Sequence, residues 1–145
     1  IQGAIILACS DFIGQNLKTA TFNIEKTGSP AGTMYCKLYS AAVINSGLAS
    51  VRETSTTEID IDDDLSAGEQ LVPFTFTGDN DIAVNNALVI FCTFTSSDSS
   101  TYVNNMGKTG ITGTTEALRQ YQKEVDEAVW EGQSNMNITF KVCNT

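Results

Sequence analysis

Apolar and polar residues alternate with a period of two along much of this chain. In Ala20-Thr21-Phe22-Asn23-Ile24-Glu25 the alternation is strict, which places Ala20, Phe22 and Ile24 on one face of a strand. Lys26 to Gly32 then reads as a turn, punctuated by Gly28, Pro30 and Gly32. Thr33 to Tyr39 alternates again, with Met34, Cys36 and Leu38 inward and Tyr35, Lys37 and Tyr39 outward. Val72, Phe74 and Phe76 repeat the pattern ahead of a loop at Gly78-Asp79-Asn80-Asp81. Ala87 to Phe94 is apolar on both parities, as in a central strand covered on both faces. The last strand is expected over Met136 to Val142, with Met136, Ile138, Phe140 and Val142 inward.

One segment follows a different period. Leu118, Tyr121, Val125 and Val129 recur at helical spacing among strong helix formers, with Thr115 placed to cap and Gly132 to stop. The spacing predicts a short surface helix near 115–131; the competing reading is a hairpin ending near Trp130. Neither linker nor internal repeat divides the chain. The expectation is a single domain, 1–145: an all-β, antiparallel, jelly-roll-type β-sandwich with one short helical insertion.

Composition narrows the function classes. Eight Lys and Arg face 17 Asp and Glu, a net charge of −9. Phosphate backbones and anionic lipid surfaces are bound by cations displacing counterions, so this balance argues against nucleic acid as a partner. The apolar run Ala4 to Cys9 is far shorter than the roughly 20 residues of a spanning helix, so membrane insertion is not expected. It also lacks the flanks of a signal peptide, and a start at Ile1 reads as a processed or excised product. Histidine is absent, which removes the usual general base and the commonest zinc ligand. Paired catalytic carboxylates would need an apolar setting for one member, and Glu53, Glu58, Glu116 and Glu124 lie in polar stretches. No enzymatic activity is expected.

The ordered phrases Asn16 to Pro30 and Gly32-Thr33-Met34-Tyr35-Cys36-Lys37-Leu38-Tyr39 resemble a widespread family of jelly-roll modules. In that family a strand ending in Lys-x-Gly-Ser-Pro precedes one of the type Gly-Thr-x-x-x-Lys-Ile-Tyr. Phe74-Thr75-Phe76, Ala87 to Phe91, Ser97-Asp98-Ser99-Ser100-Thr101-Tyr102-Val103, Trp130 and Ile138 to Val142 continue the resemblance in order. Such modules occur in bacterial and archaeal surface proteins and in phage or viral structural proteins. The resemblance implies a binding or structural role without catalytic residues, at an extracellular or virion surface. The chain departs from the pattern at Thr115 to Glu131, where the family has a shorter polar loop.

Several candidate sites follow from residue chemistry. Asp60, Asp62 and Asp64 in Asp60-Ile61-Asp62-Asp63-Asp64 supply oxygens of the kind calcium takes, although the spacing is not that of an EF-hand. The alternative is a solvated acidic loop, and no other cofactor is implied. Asp79, Asn80 and Asp81 form a smaller oxygen-rich loop. Tyr35, Lys37 and Tyr39, with Asp98 and Tyr102, are the candidate ligand-binding set, because flat aromatics on a sheet face stack on sugar rings. The alternative is that another element covers that face. The four cysteines lack CxxC spacing. They are either small buried hydrophobes or disulfides; if disulfides, core-facing parity pairs Cys36 with Cys92, and placement near the termini, where first and last strands often run side by side, pairs Cys9 with Cys143. Finally, Ile5, Ile6 and Leu7 form an apolar strand able to add to a neighbouring subunit's sheet.

Two functions are expected from these features. The first is a non-catalytic structural or assembly module of a virion (capsid, decoration or fibre) or extracellular appendage, associating with itself or with other structural subunits. The second is a carbohydrate- or receptor-binding module that grips glycans.

Overall fold

The alternation at Ala20, Phe22 and Ile24 becomes the middle of a two-sheet core in the computed structural model. The structure describes residues 2–6, 12–43, 47–48, 50–96, 102–105, 118–122, 131–133 and 140–143, with side chains for 12–41, 50–93 and 103. The strands are β1 (Gln2–Ile6), β2 (Thr19–Thr27), β3 (Ala31–Tyr39), β4 (Ala42–Val43), β5 (Gly47–Leu48), β6 (Val51–Thr54) and β7 (Ile59–Asp60). A four-residue helix, α1 (Ile61–Asp64), follows. After it come β8 (Gly68–Thr75), β9 (Ala87–Ser96), β10 (Tyr102–Asn105), β11 (Leu118–Gln122), β12 (Glu131–Gln133) and β13 (Phe140–Cys143). The fold is all-β.

One sheet runs β12-β11-β1-β9-β3-β6, with β7 also pairing β3. β4 and β5 form a small sheet of their own. In the second large sheet, β8 lies along β2 from Thr19 to Lys26. The opposite edge of β2 is shared end to end by β13, on Thr19 to Phe22, and β10, on Ile24 to Thr27. Every pairing among the described residues is antiparallel. The two sheets enclose one core, in which Phe22, Ile24, Val72 and Phe74 meet Met34, Cys36, Leu38, Leu88 and Ile90. The rings of Phe22 and Phe74 meet edge to face at 6.0 Å. Each large apolar side chain buried here contributes roughly 1.5–3 kcal/mol.

The strand order explains the doubly apolar run. β9 lies between β1 and β3, and Ala87 and Val89 are as buried as Leu88 and Ile90 on the opposite parity. Gly28 takes a positive φ of 70° in the β2–β3 turn, where a side chain would be strained. That turn is tighter than expected, because β2 continues through Lys26 to Thr27 and carries the Lys26 side chain inward.

Two sequence expectations are corrected. The segment predicted as helical holds strands instead: β11 pairs β12 with Gln122 opposite Glu131, and its other edge pairs β1 with Leu118 opposite Ile6. Helical spacing is met there, but sheet partners on both sides override local propensity. The expected assembly strand is also occupied. Ile5 is paired on both edges, with Ala87 of β9 and Arg119 of β11, and Ile6 pairs Leu118 of β11, so β1 lies inside the sheet rather than at an edge open to another subunit. Leu7 lies outside the described residues.

Candidate functional site

Tyr35, Lys37 and Tyr39 share the face of β3 opposite Met34, Cys36 and Leu38, and the structure brings all three together around a fourth residue, Phe91. The register sets Tyr35 directly across from Phe91 on β9. Their rings stack at 5.7 Å and 9°, and Tyr39 tilts against Phe91 at 6.3 Å and 34°. The Lys37 ammonium lies 4.8 Å from the Phe91 ring and 5.3 Å from the Tyr35 ring, within cation–π range. Tyr39 is only 8% exposed. Burial first, and then neighbouring Tyr35, push its phenol above the ordinary value, so it stays neutral. The group is an aromatic cluster with one cation over it, and it is half-buried by its own packing.

Phe91 carries no signal of its own in the sequence. Its outward parity follows from the β3–β9 register, which no single strand reveals. Tyr102 begins β10 on the other sheet and is not brought to this face. Asp98 lies outside the described residues.

The Asp60–Asp64 turn is organised by hydrogen bonds within the chain. Asp60 caps α1, its Oδ1 accepting from the N–H groups of Asp62 at 3.0 Å and Asp63 at 3.3 Å. Asp64 Oδ2 accepts from the Asp60 N–H at 2.8 Å. Lys26, 7% exposed, reaches between the sheets and donates to the carbonyls of Ile61, Asp62 and Leu65 at 2.8–2.9 Å. Asp62 adds an ion pair to it at 3.7 Å. The carboxylates of Asp60, Asp62 and Asp64 therefore turn to backbone donors and an ammonium within the chain rather than converging. Among the described residues no group of three such ligands is placed to hold a metal ion.

A second network joins the two sheets at the loop after β8. Glu53, on β6, accepts from the N–H groups of Thr77 at 2.8 Å and Gly78 at 3.1 Å, from the Thr77 hydroxyl, and from the Asn80 amide. Burial raises its pKa, but these donors outweigh burial and hold the carboxyl below its ordinary value. A Cβ at Gly78 would come to 2.5 Å from Glu53 Oε2, so a side chain there would push the carboxylate off the donors it accepts from. Lys18 donates to the Gly78 carbonyl at 3.0 Å, and Asn16 to Asp79. Arg52 donates to the Asp81 carbonyl and to Asn86, whose amide in turn reaches the Ser40 carbonyl. The sequence marked this loop only as oxygen-rich.

Cys36 and Cys92 are both free thiols, so of the two readings left open for this pair the bridge is not the one seen. Cys36 lies opposite Ile90 and Cys92 opposite Met34, so the two are diagonal neighbours on adjacent strands. Such pairs stand about 7–8 Å apart, beyond ordinary disulfide reach. The Cys9–Cys143 pairing falls on Cys9, outside the described residues.

The last feature is a backbone edge. Thr75 of β8 accepts from the Thr56 N–H at 2.8 Å and donates to the Thr57 hydroxyl at 3.0 Å, both away from β2. Antiparallel strands turn alternate residues the same way. Glu69, Leu71 and Pro73 therefore also turn their backbone groups outward, where no described strand pairs them. Leu71 is 67% exposed.

No family model matches the chain, and neither a curated protein nor a solved structure matches it.

Proposed function

We propose that this chain is a non-catalytic structural module of a virion or extracellular appendage, built on a jelly-roll-type sandwich and assembling with copies of itself or with other structural subunits. The observation that carries the reading is the outward edge of β8, an eight-residue strand with an exposed leucine at its middle. Unpaired sheet edges are templates for association, and Pro73 shortens this one without removing the Glu69 and Leu71 donors. A lone large apolar side chain on such an edge favours contact with another subunit over contact with water. The polar clusters support the same reading from the other side. The Lys26 and Glu53 networks fix loops and join sheets, a scaffolding use of charged groups. In this reading the module works at an extracellular or virion surface, without a cofactor, and away from nucleic acid and lipid.

Negative-stain imaging and sedimentation of the full chain test it. Discrete multimers or fibres are the expected outcome. A chain that stays monomeric at every concentration is not an assembly module.

One observation favours a second reading, a glycan-binding module. Tyr35, Phe91 and Lys37 sit together on one sheet face, combining aromatic surface with a cationic tip. A monomer retained on a glycan array, with retention lost in Tyr35→Ala, is the outcome that selects it.

A further inference from the structure

We infer that the outward edge of β8 receives β8 of a second copy, antiparallel about a twofold axis at Leu71. The inference rests on the assembly reading and names its contact. In this register each Leu71 N–H donates to the carbonyl of the partner's Leu71. Each Glu69 N–H donates to the carbonyl of the partner's Pro73. Pro73 has no N–H to return, so the ladder is short. It is shortened again at Thr75, whose outward groups are already taken by Thr56 and Thr57.

A second copy fits this edge for three reasons. Among the described residues no strand pairs Glu69 to Pro73 on this edge in either copy, so the two free stretches match in length. The exposed Leu71 side chains stand side by side on one face, each covering the other. Glu69 falls beside proline rather than beside another Glu69, so like charges are not set opposite each other, and Asn23 already holds its carboxylate at 3.0 Å. The twofold contact uses up both edges, which closes the pair as a dimer. Because each chain carries a net charge of −9, long-range repulsion opposes the encounter, and salt weakens that repulsion.

Sedimentation equilibrium on the full chain provides the test, with folding of each variant checked by circular dichroism. The wild-type chain is expected to dimerise, more tightly as sodium chloride rises from about 0.02 to about 0.5 M. Leu71→Lys should weaken the dimer by about tenfold or more, by removing the apolar pair and placing two cations side by side. Pro73→Thr supplies the missing donors on an already outward position and should tighten it by about tenfold. Assembly that persists unchanged in Leu71→Lys overturns the β8 contact and leaves the assembly reading standing. Monomers throughout, Pro73→Thr included, overturn both. If Leu71→Lys does not fold, Pro73→Thr decides alone, and an unchanged dimerisation constant there overturns the pairing.

Discussion

Protonating Glu53 removes the charge around which Thr77, Gly78 and Asn80 arrange their donors. Its pKa is lower in the folded chain than in the unfolded one, so the unfolded state takes up the proton first as pH falls. The stability it contributes is present in full above the ordinary carboxylate range and is lost as pH drops through the lowered folded value. Glu53→Gln keeps the shape and one acceptor oxygen but loses the charge-assisted bonds. A loss of about 1–2 kcal/mol at neutral pH is expected in urea unfolding. The gap between variant and wild type should narrow once both are measured below the folded pKa. A gap that stays constant with pH would mean that the carboxylate's charge plays no part. Gly78→Ala should act through the same contact, since its Cβ meets Glu53 Oε2. Its cost should therefore shrink markedly in a Glu53→Ala background, the coupling expected of touching groups.

At the scale of elements, what was legible in the sequence depended on how many partners each segment needed. β2 and β3 were readable because one buried face leaves a period-two record in one stretch of sequence. The doubly apolar β9 was readable as central for the same reason. β11 was not, because Leu118 and Tyr121 satisfy a helical period and the pairing that decides between helix and strand lies in β1 and β12, far away in sequence. The Tyr35 cluster was half legible: the parity of β3 gave three members, and the cross-strand register supplied Phe91. The Asp-rich turn was legible in composition but not in organisation. A helix as short as α1 is marginal by itself, and its support comes from Lys26, which the sequence places in a turn some distance upstream. Lys26→Met would leave the carbonyls of Ile61 and Leu65 buried without a donor, and a loss of about 3 kcal/mol in urea unfolding is expected. Chelation of divalent cations should leave the wild-type melting midpoint where it was, because Asp60 and Asp64 bind backbone N–H groups. A fall on chelation would mean that the turn holds a divalent cation.

At the scale of the whole molecule, the two sheets depend on one shared core, and Cys36 reports on it from the strand at its centre. β3 pairs β9 along its length and β6 and β7 on the other side, so the Cys36 thiol is sealed by both sheets. Burial pushes that thiol far above its ordinary value, against a smaller lowering by its hydrogen bond to Val89, and burial raises Cys92 to about 11. Since the thiolate is the reactive form, neither group should react at neutral pH while the strands stay paired. Cys92, less deeply placed, should be reached by smaller openings; Cys36 should need the sheets to part. Alkylation followed by peptide mass spectrometry separates these cases from the other two cysteines. The expected result is Cys36 labelling that accelerates with urea along the same slope as global unfolding, with Cys92 faster and less urea-dependent. Cys36 labelling that is fast and indifferent to urea would mean that β3 opens locally, and that the two sheets do not share a single cooperative core.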